Sequence, residues 1–359
     1  MINTKDKKVF VALSGGVDSA VAAGLLVQRG FDVRGVFMRQ YDTEINGRDL
    51  TEVECTWLAD RRDAIAVAAH LGIPFEEWDF RKEYHEDVVE YMFREYQAGR
   101  TPNPDVMCNT YIKFGAFLRR ALEQGADYIA TGHYVRIRER KGLFQLLKAK
   151  DDNKDQTYFL YGLSQDVLKH CLFPIGDYKK PDVRKLGEKM GLPNFSKKDS
   201  QGICFVGKVP MKDFLQTAVK SKRGDVVTTS GEIIGQHEGA FYYTIGQRHG
   251  LGLPGGSEPY FVVGKNIEKN IVYVGLENDS ALFAKELYCD EINWIESHSK
   301  FPLACKARVR YRQPLQDCEV RFEGGRYHVV FKKKQRAITS GQAVVFYKGE
   351  RCLGGGIIS

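Results

Sequence analysis

Two features of this chain could do chemistry: a loop built to hold an anion, and two thiols set far apart. The loop is Ser14-Gly15-Gly16-Val17-Asp18-Ser19. It follows Val9-Phe10-Val11-Ala12-Leu13, a β-branched apolar run that reads as a buried strand. From Ala20 the pattern turns helical, with Val21, Leu25 and Leu26 on one face. Glycines let the backbone turn and approach a ligand without a Cβ in the way. Unpaired N–H groups and the positive end of a helix dipole then favour phosphate. No lysine follows the second glycine, so this is not the Walker loop that holds β- and γ-phosphates.

The thiols are Cys108 and Cys204, two of eight cysteines; the others are Cys55, Cys171, Cys289, Cys305, Cys318 and Cys352. None forms C-x-x-C, so a zinc ribbon or thioredoxin-type site has no support. Cys108 closes the stretch GRTPNPDVMCN, in which two prolines fix an extended loop and bar a helix. A helix then starts near Cys108 or Asn109 and runs through Ile112, Phe114, Phe117, Leu118 and Leu122. A thiol at a helix N-terminus is favoured as thiolate; the alternative is a small buried apolar residue. Cys204 follows the polar, glycine-containing turn SKKDSQGI. Such a segment can swing toward Cys108, and a buried core thiol is the competing reading.

The elements that must position these groups alternate through the first third of the chain. Residues 32–38 and 75–80 read as strands, 52–71 and 84–96 as helices, and 40–51 as a polar loop. This alternation implies a Rossmann-like, doubly wound parallel sheet with helices on both faces, and ligands at the carboxyl ends of its strands. Residues 128–131 form another strand ending in Gly132-His133-Tyr134, where small residues suggest nucleotide contact; His133 is equally readable as structural. Residues 135–147 look like a hairpin around Lys141-Gly142, residues from 154 open a further helical region, and 183–190 form a helix. The texture changes after Gly207. The expected domains are therefore an α/β catalytic domain over 1–207, a small, mostly β linking domain over 208–275 and a C-terminal β-barrel over 276–359. In the linking domain the aromatics of FYYTIGQR either stack on bases or fill a small core. The last domain carries six short strand signals, at 287–294, 305–311, 317–322, 327–331, 343–347 and 353–357. Arg308, Arg310 and Arg312 alternate, which places all three on one strand face.

Charge points the same way. The net charge is +7, yet residues 300–359 hold 13 Lys+Arg against 4 Asp+Glu, a net of +9. Together with Lys332-Lys333-Lys334, the arginines make a phosphate-binding face; a solvated surface of a small β domain is the alternative. No apolar run reaches the length of a membrane helix, and the first residues lack a signal core, so no membrane association and a cytoplasmic location are expected.

The loop SGGVDS resembles the pyrophosphate loop of the ATP pyrophosphatases, which cleave ATP between the α- and β-phosphates. With TPNPDVMCN, TGHY, KDQTYFLY, DSQGICF, YTIGQRHGLG, RVRYRQ and SGQAVVFY it is similar, in order over nearly the whole chain, to the tRNA-specific 2-thiouridylases. The resemblance implies ATP-dependent 2-thiolation of the wobble uridine in the tRNAs for Lys, Glu and Gln. It implies an ATP site at Ala12, Leu13, Ser14, Gly15, Gly16, Val17, Asp18, Ser19, Met38 and Gly132. Asn103, Pro104 and Asp105 would meet the target base, with Asp105 the candidate for proton transfer. Cys108 would be the nucleophile, and Cys204 would carry a persulfide. His133, Lys154, Asp155, Gln156, Arg310, Tyr311 and Gln342 would touch tRNA, alongside Arg308 and Arg312 from the alternating face. Mg²⁺ would accompany ATP with no dedicated side-chain metal site, and Asp18 would fix the loop or link to the metal. A sulfur relay protein or a cysteine desulfurase would supply sulfur to a chain that is monomeric without tRNA. Three alternatives remain open: a synthetase acting on a small molecule, a tRNA-binding protein without catalysis, and an iron–sulfur cluster on Cys108, Cys204 and another thiol.

Overall fold

The computed structural model describes residues 6–41, 57–198, 214–216, 221–253, 258–298 and 300–359, and the backbone alone at 44–45, 48–49 and 211–213. Cys55, Cys204 with residues 199–203 of the turn before it, and the start of the helix expected from residue 52 lie outside these residues.

The first strand, β1 (Lys8–Ala12), pairs in parallel with β2 (Asp32–Arg39), and β2 with β3 (Phe75–Asp79). On its other side β1 pairs with β4 (Tyr128–Ala130), which pairs with the short strand Cys171–Leu172. The five-stranded sheet is buried on both faces, which is why β1 is apolar from Val9 to Ala12. Phe10 packs on one face among Trp78, Phe117 and Met92, while Val9 and Val11 pack on the other among Val21, Leu26 and Val67. The second face is covered by α1 (Val17–Gln28), α2 (Trp57–Leu71) and the helix Lys180–Lys189. The first is covered by α3, continuous through Arg81–Tyr84, His85–Val89 and Glu90–Gln97, and by α4, continuous through Pro104–Met107, Cys108–Ala116 and Phe117–Glu123.

The start of α4 corrects the expectation. Pro104 does not bar the helix; it begins it. Its fixed φ suits the first helical position, where the missing N–H has no partner to lose. Asn103 caps the helix, its side chain accepting from Val106 N at 3.3 Å. Cys108 therefore lies a full turn inside, at the head of a π-helical stretch. The dipole argument for its thiolate weakens accordingly, because that field falls off within the first turn.

The linking region is a four-stranded sheet of Gly224–Thr228, Ile233–His237, Phe261–Asn266 and Ile271–Gly275 around Val226, Val262, Val272 and Val274. Tyr243 fills this core at 7% exposure. The C-terminal strands are Phe283–Trp294, Leu303–Arg308, Gln316–Glu323, Arg326–Arg336, Ala343–Lys348 and Arg351–Ile358, matching the six strand signals. They close into a barrel because the first pairs with the last. That closure needs glycine: a Cβ at Gly354 or Gly356 would collide with the carbonyl of Asn293 or Glu291. The hairpin Val135–Arg140/Leu143–Lys148 belongs by sequence to the catalytic domain, yet it extends the barrel sheet through Leu147↔Arg351 and Leu146↔Cys352.

The strand expected to present Arg308, Arg310 and Arg312 on one face ends at Arg308. Residues 309–312 turn, with Arg312 at φ +65°. Arg308 is only 5% exposed; it lies over the Tyr347 ring and reaches Asp155 Oδ2 at 3.7 Å. Once Arg308 turns inward to a buried carboxylate, the strand has no continuous outer face to offer.

Candidate active site

The cradle sits just beyond β1, beside the carboxyl end of β4, where the strand order reverses and open α/β sheets bind ligands. Its shape is held by its own serines. Ser14 N donates to Ser19 Oγ at 3.2 Å, Gly16 N to Ser14 Oγ at 3.4 Å, and Ser19 Oγ to Gly16 O at 3.1 Å. Gly15 has φ +73°, and a Cβ there would strike the Asp60 carbonyl. Gly16 caps α1 with no side-chain hydrogen bond, leaving the helix start to a ligand. Gly132, after β4, touches this helix start so closely that a Cβ would lie 2.6 Å from Ser19 N.

Charges brought from far along the chain fix the loop. Lys180 Nζ contacts both Asp18 oxygens at 2.8 and 2.9 Å, and Tyr134 OH donates to Asp18 Oδ1 at 2.8 Å. Asn194 Nδ2 donates to Gly15 O at 2.9 Å. Lys197 Nζ reaches the same carbonyl at 3.3 Å and pairs with Asp60 and Asp63. Burial alone would lower the Lys197 pKa, but the two carboxylates outweigh it and raise it. Asp18 thus fixes the loop rather than serving as a base. Its oxygens are taken, and among the described residues no three His, Cys, Asp or Glu side chains converge on a metal position. The described side chains do not fit a dedicated Mg²⁺ site.

The loop before α4 is held differently. Thr101 N donates to Ser340 O at 2.9 Å, and Gln342 Nε2 donates to Thr101 O and Pro102 O at 2.9 and 3.2 Å. Thr101 Oγ1 meets Thr244 Oγ1 at 3.3 Å. A Cβ on Gly341 would come within 2.8 Å of Thr101 N. Barrel and linking region therefore both grip the segment that leads to Asn103, Pro104 and Asp105. Cys108, one turn on, is 1% exposed. Gln40 Nε2 donates toward its sulfur at 3.6 Å. Gln40 stands immediately beyond β2, the neighbour of β1, so Cys108 and the cradle share one edge of the sheet. Met38 lies in the last turns of the same strand and packs against the core on that side.

Several residues expected to touch tRNA make contacts within the protein, His133 and Asp155 in its interior and Gln156, Arg310 and Tyr311 half-buried. His133 is 8% exposed between Phe114 and Phe173, and its Nδ1 meets Thr131 Oγ1 at 2.7 Å. Burial, helped by nearby Lys113, lowers its pKa well below the ordinary value, so it is neutral near pH 7. Asp155 is 1% exposed and accepts from Thr157 Oγ1 at 2.9 Å; burial raises its pKa. Gln156 Oε1 accepts from Tyr134 N at 2.8 Å. Arg310 donates to Ile245 O at 2.8 Å and Ala337 O at 3.1 Å, joining the linking region to the barrel, and Tyr311 packs on Phe159 at 4.5 Å. Lys154, Arg308 and Arg312 do come together. With Lys148 and Gln313 they line a groove of about 570 Å³ where the hairpin meets the barrel. Exposed Lys332, Lys333 and Lys334 lie on the barrel strand Arg326–Arg336.

Sequence reasoning missed Gln40, Tyr134, Lys180, Asn194 and Lys197. Gln40 was readable only as part of a polar loop. Lys180 stands before Pro181 at a helix start, and nothing local marks it as the partner of Asp18.

Comparisons with known proteins give this arrangement a context. Residues 7–208 match the family model described as the tRNA methyl transferase HUP domain. Residues 212–276 match the tRNA methyl transferase PRC-barrel domain, and 284–358 the aminomethyltransferase beta-barrel domain. The chain is 49% identical over 355 residues to the tRNA-specific 2-thiouridylase MnmA of Halalkalibacterium halodurans, covering 98% of this chain and 94% of that one. It is 48% identical over 360 residues to the protein of that name from Bacillus subtilis, covering 99% and 95%. Among solved structures, a 4-thiouridine synthetase–RNA complex with bound ATP aligns at a TM-score of 0.35 and 16% identity, covering 59% of this chain and 50% of that one.

Proposed function

This chain belongs to the tRNA-specific 2-thiouridylases, tRNA-uridine 2-thiolating transferases, and from that premise we propose that it adenylates the wobble uridine of the tRNAs for Lys, Glu and Gln and replaces the activated oxygen with sulfur. The observation that carries the reading is the placement of a phosphate cradle and a buried thiol on one edge of one sheet.

A uridine 2-carbonyl oxygen is a poor leaving group. Its attack on the α-phosphorus of ATP would turn it into an adenylate and release pyrophosphate into the cradle of Ser14–Ser19. Fixed N–H donors there offset the charge that develops. Ala12, Leu13, Met38 and Gly132 would shape the rest of the nucleotide site. The base would enter beside Asn103, Pro104 and Asp105, with Asp105 handling the proton. The terminal sulfur of a persulfide on Cys204 would attack C2 and expel AMP. Cys108 would then attack the Cys204 sulfur, freeing the thiocarbonyl and leaving a Cys108–Cys204 disulfide for an external thiol to reduce. A sulfur-donor protein would load Cys204. Mg²⁺, carried on the phosphates, would add countercharge; no step here depends on it. The support for Cys108 is its Gln40 contact, whose N–H favours negative charge on sulfur.

Sulfur loading followed by mass spectrometry tests the division of roles. Cys204→Ser is expected to take up no persulfide and to thiolate nothing. Cys108→Ser is expected to accept the persulfide yet fail to deliver sulfur. A Cys204→Ser protein that carries persulfide on Cys108 and thiolates tRNA at the parent rate would overturn the assignment.

A further inference from the structure

Two thiols outside the catalytic site sit side by side on neighbouring barrel strands. Cys305 and Cys318 are direct partners on the adjacent antiparallel strands Leu303–Arg308 and Gln316–Glu323, and their Sγ atoms are 3.6 Å apart. Directly opposed residues on such strands hold their Cα atoms about 4.5–5.5 Å apart, inside the range a disulfide spans. The closure therefore needs side-chain rotation and no change of register. The pair is also asymmetric. Among the described cysteines Cys305 alone is not buried, whereas Cys318 is 6% exposed.

We propose that Cys305 and Cys318 form a reversible cross-strand disulfide, a second thiol redox site whose oxidant is a hydroperoxide. The accessible Cys305 thiolate attacks the O–O bond, becomes a sulfenic acid and releases the alcohol, or water from hydrogen peroxide. Cys318 then attacks the sulfenic sulfur; the S–S bond forms, and the hydroxyl leaves with the Cys318 proton as water. Two electrons pass from the two sulfurs to the peroxide, and an external dithiol returns them. The hydrogen bond with Cys305, and then burial, raise the Cys318 thiol well above its ordinary value, which leaves Cys305 as the attacking partner.

The position of the pair gives it a consequence. Residues 306–317 run from one thiol to the other, and Arg308, Arg312, Gln313, Pro314 and Leu315 of that segment line the basic groove. Oxidation closes the neck of this loop and stiffens one wall of the groove. This consequence rests on the groove being a tRNA surface; the disulfide itself does not.

The test uses the full chain carrying Cys108→Ser and Cys204→Ser, so that the catalytic thiols contribute nothing. After hydrogen peroxide treatment, a non-reduced peptide digest should contain the 305–318 crosslink, two hydrogens lighter than its parts and lost on adding dithiothreitol. Cys305→Ser or Cys318→Ser added to this background should abolish it, with thermal melts confirming the fold. Accumulation of Cys305 sulfinic acid with no crosslink would overturn the proposal. Oxidation should also change tRNA affinity at least threefold, a change absent in the Cys305→Ser protein. A crosslink with unchanged affinity would overturn control of the groove. A Lys154→Ala/Arg312→Ala protein, measured in parallel, separates that failure from failure of the groove reading.

Discussion

The loop before α1 is held from inside its own domain, whereas the loop before α4 is held from outside it. Ser14–Ser19 is braced by its own serines and by Lys180, Asn194 and Lys197, all in the α/β domain. Thr101–Pro102 is braced by Ser340 and Gln342 of the barrel and Thr244 of the linking region. Both loops open a helix, and both would meet a substrate. On the proposed reading, the difference teaches that nucleotide handling would be self-contained, while handling of the base would depend on the barrel and the linking region. Such an arrangement would couple the arrival of the polynucleotide to the geometry of the loop before α4.

The largest effect expected from this contrast is at Gly132. Gly132→Ala puts a methyl against the Ser19 backbone and displaces the start of α1. A misplacement of this size costs on the order of 10²-fold in rate. ATP affinity, read by equilibrium dialysis, and 2-thiouridine yield should fall together; a fall in thiolation alone would break the contrast.

Next comes Gln342→Ala, which removes two hydrogen bonds from the opposite loop. At about 1 kcal/mol or less each, their loss should lower thiolation about tenfold while ATP binding stays unchanged. Loss of ATP binding in this variant would show that the two loops are not independent.

The two loops were not equally legible in the sequence. The cradle was legible because the left-handed turn at Gly15 is a local demand that favours glycine. The six barrel strands were legible from their turns. The arginine face was not, because the end of its strand is decided by Arg308 finding Asp155 far back in the chain. Pro104 looked like a barrier to a helix, since proline is a breaker at most positions and a starter at one. The hairpin at 135–148 was visible as a hairpin, but its partner strand, Arg351–Ile358, left no mark in local pattern. Gln342, expected to touch tRNA, donates its Nε2 hydrogens to Thr101 O and Pro102 O, a bridge to a loop 240 residues away that local pattern does not mark.

A smaller effect is expected in the basic groove. Lys154→Ala with Arg312→Ala should weaken tRNA binding several-fold at moderate salt. The slope of log affinity against log salt should fall by about 2, with ATP binding intact. An unchanged slope would move the polyanion surface elsewhere, to Lys332–Lys334 first.

The smallest concerns His133, now an interior residue. Its folded pKa lies well below 6.5, so below pH 6.5 the unfolded chain binds a proton that the folded chain does not. Stability should therefore fall as pH drops from 6.5, by up to about 1.4 kcal/mol per pH unit. Urea titrations should show His133→Gln flattening this dependence. An unchanged profile would mean that His133 is reached by solvent or tRNA after all.

The proposed cleavage of ATP between its α- and β-phosphates is tested most directly by its products. With purified tRNA, a sulfur source and radiolabelled ATP, it predicts one AMP and one pyrophosphate for each 2-thiouridine formed. ADP and phosphate as the stoichiometric products would contradict it, because a cradle at Ser14–Ser19 that releases pyrophosphate cannot be the site of cleavage between the β- and γ-phosphates.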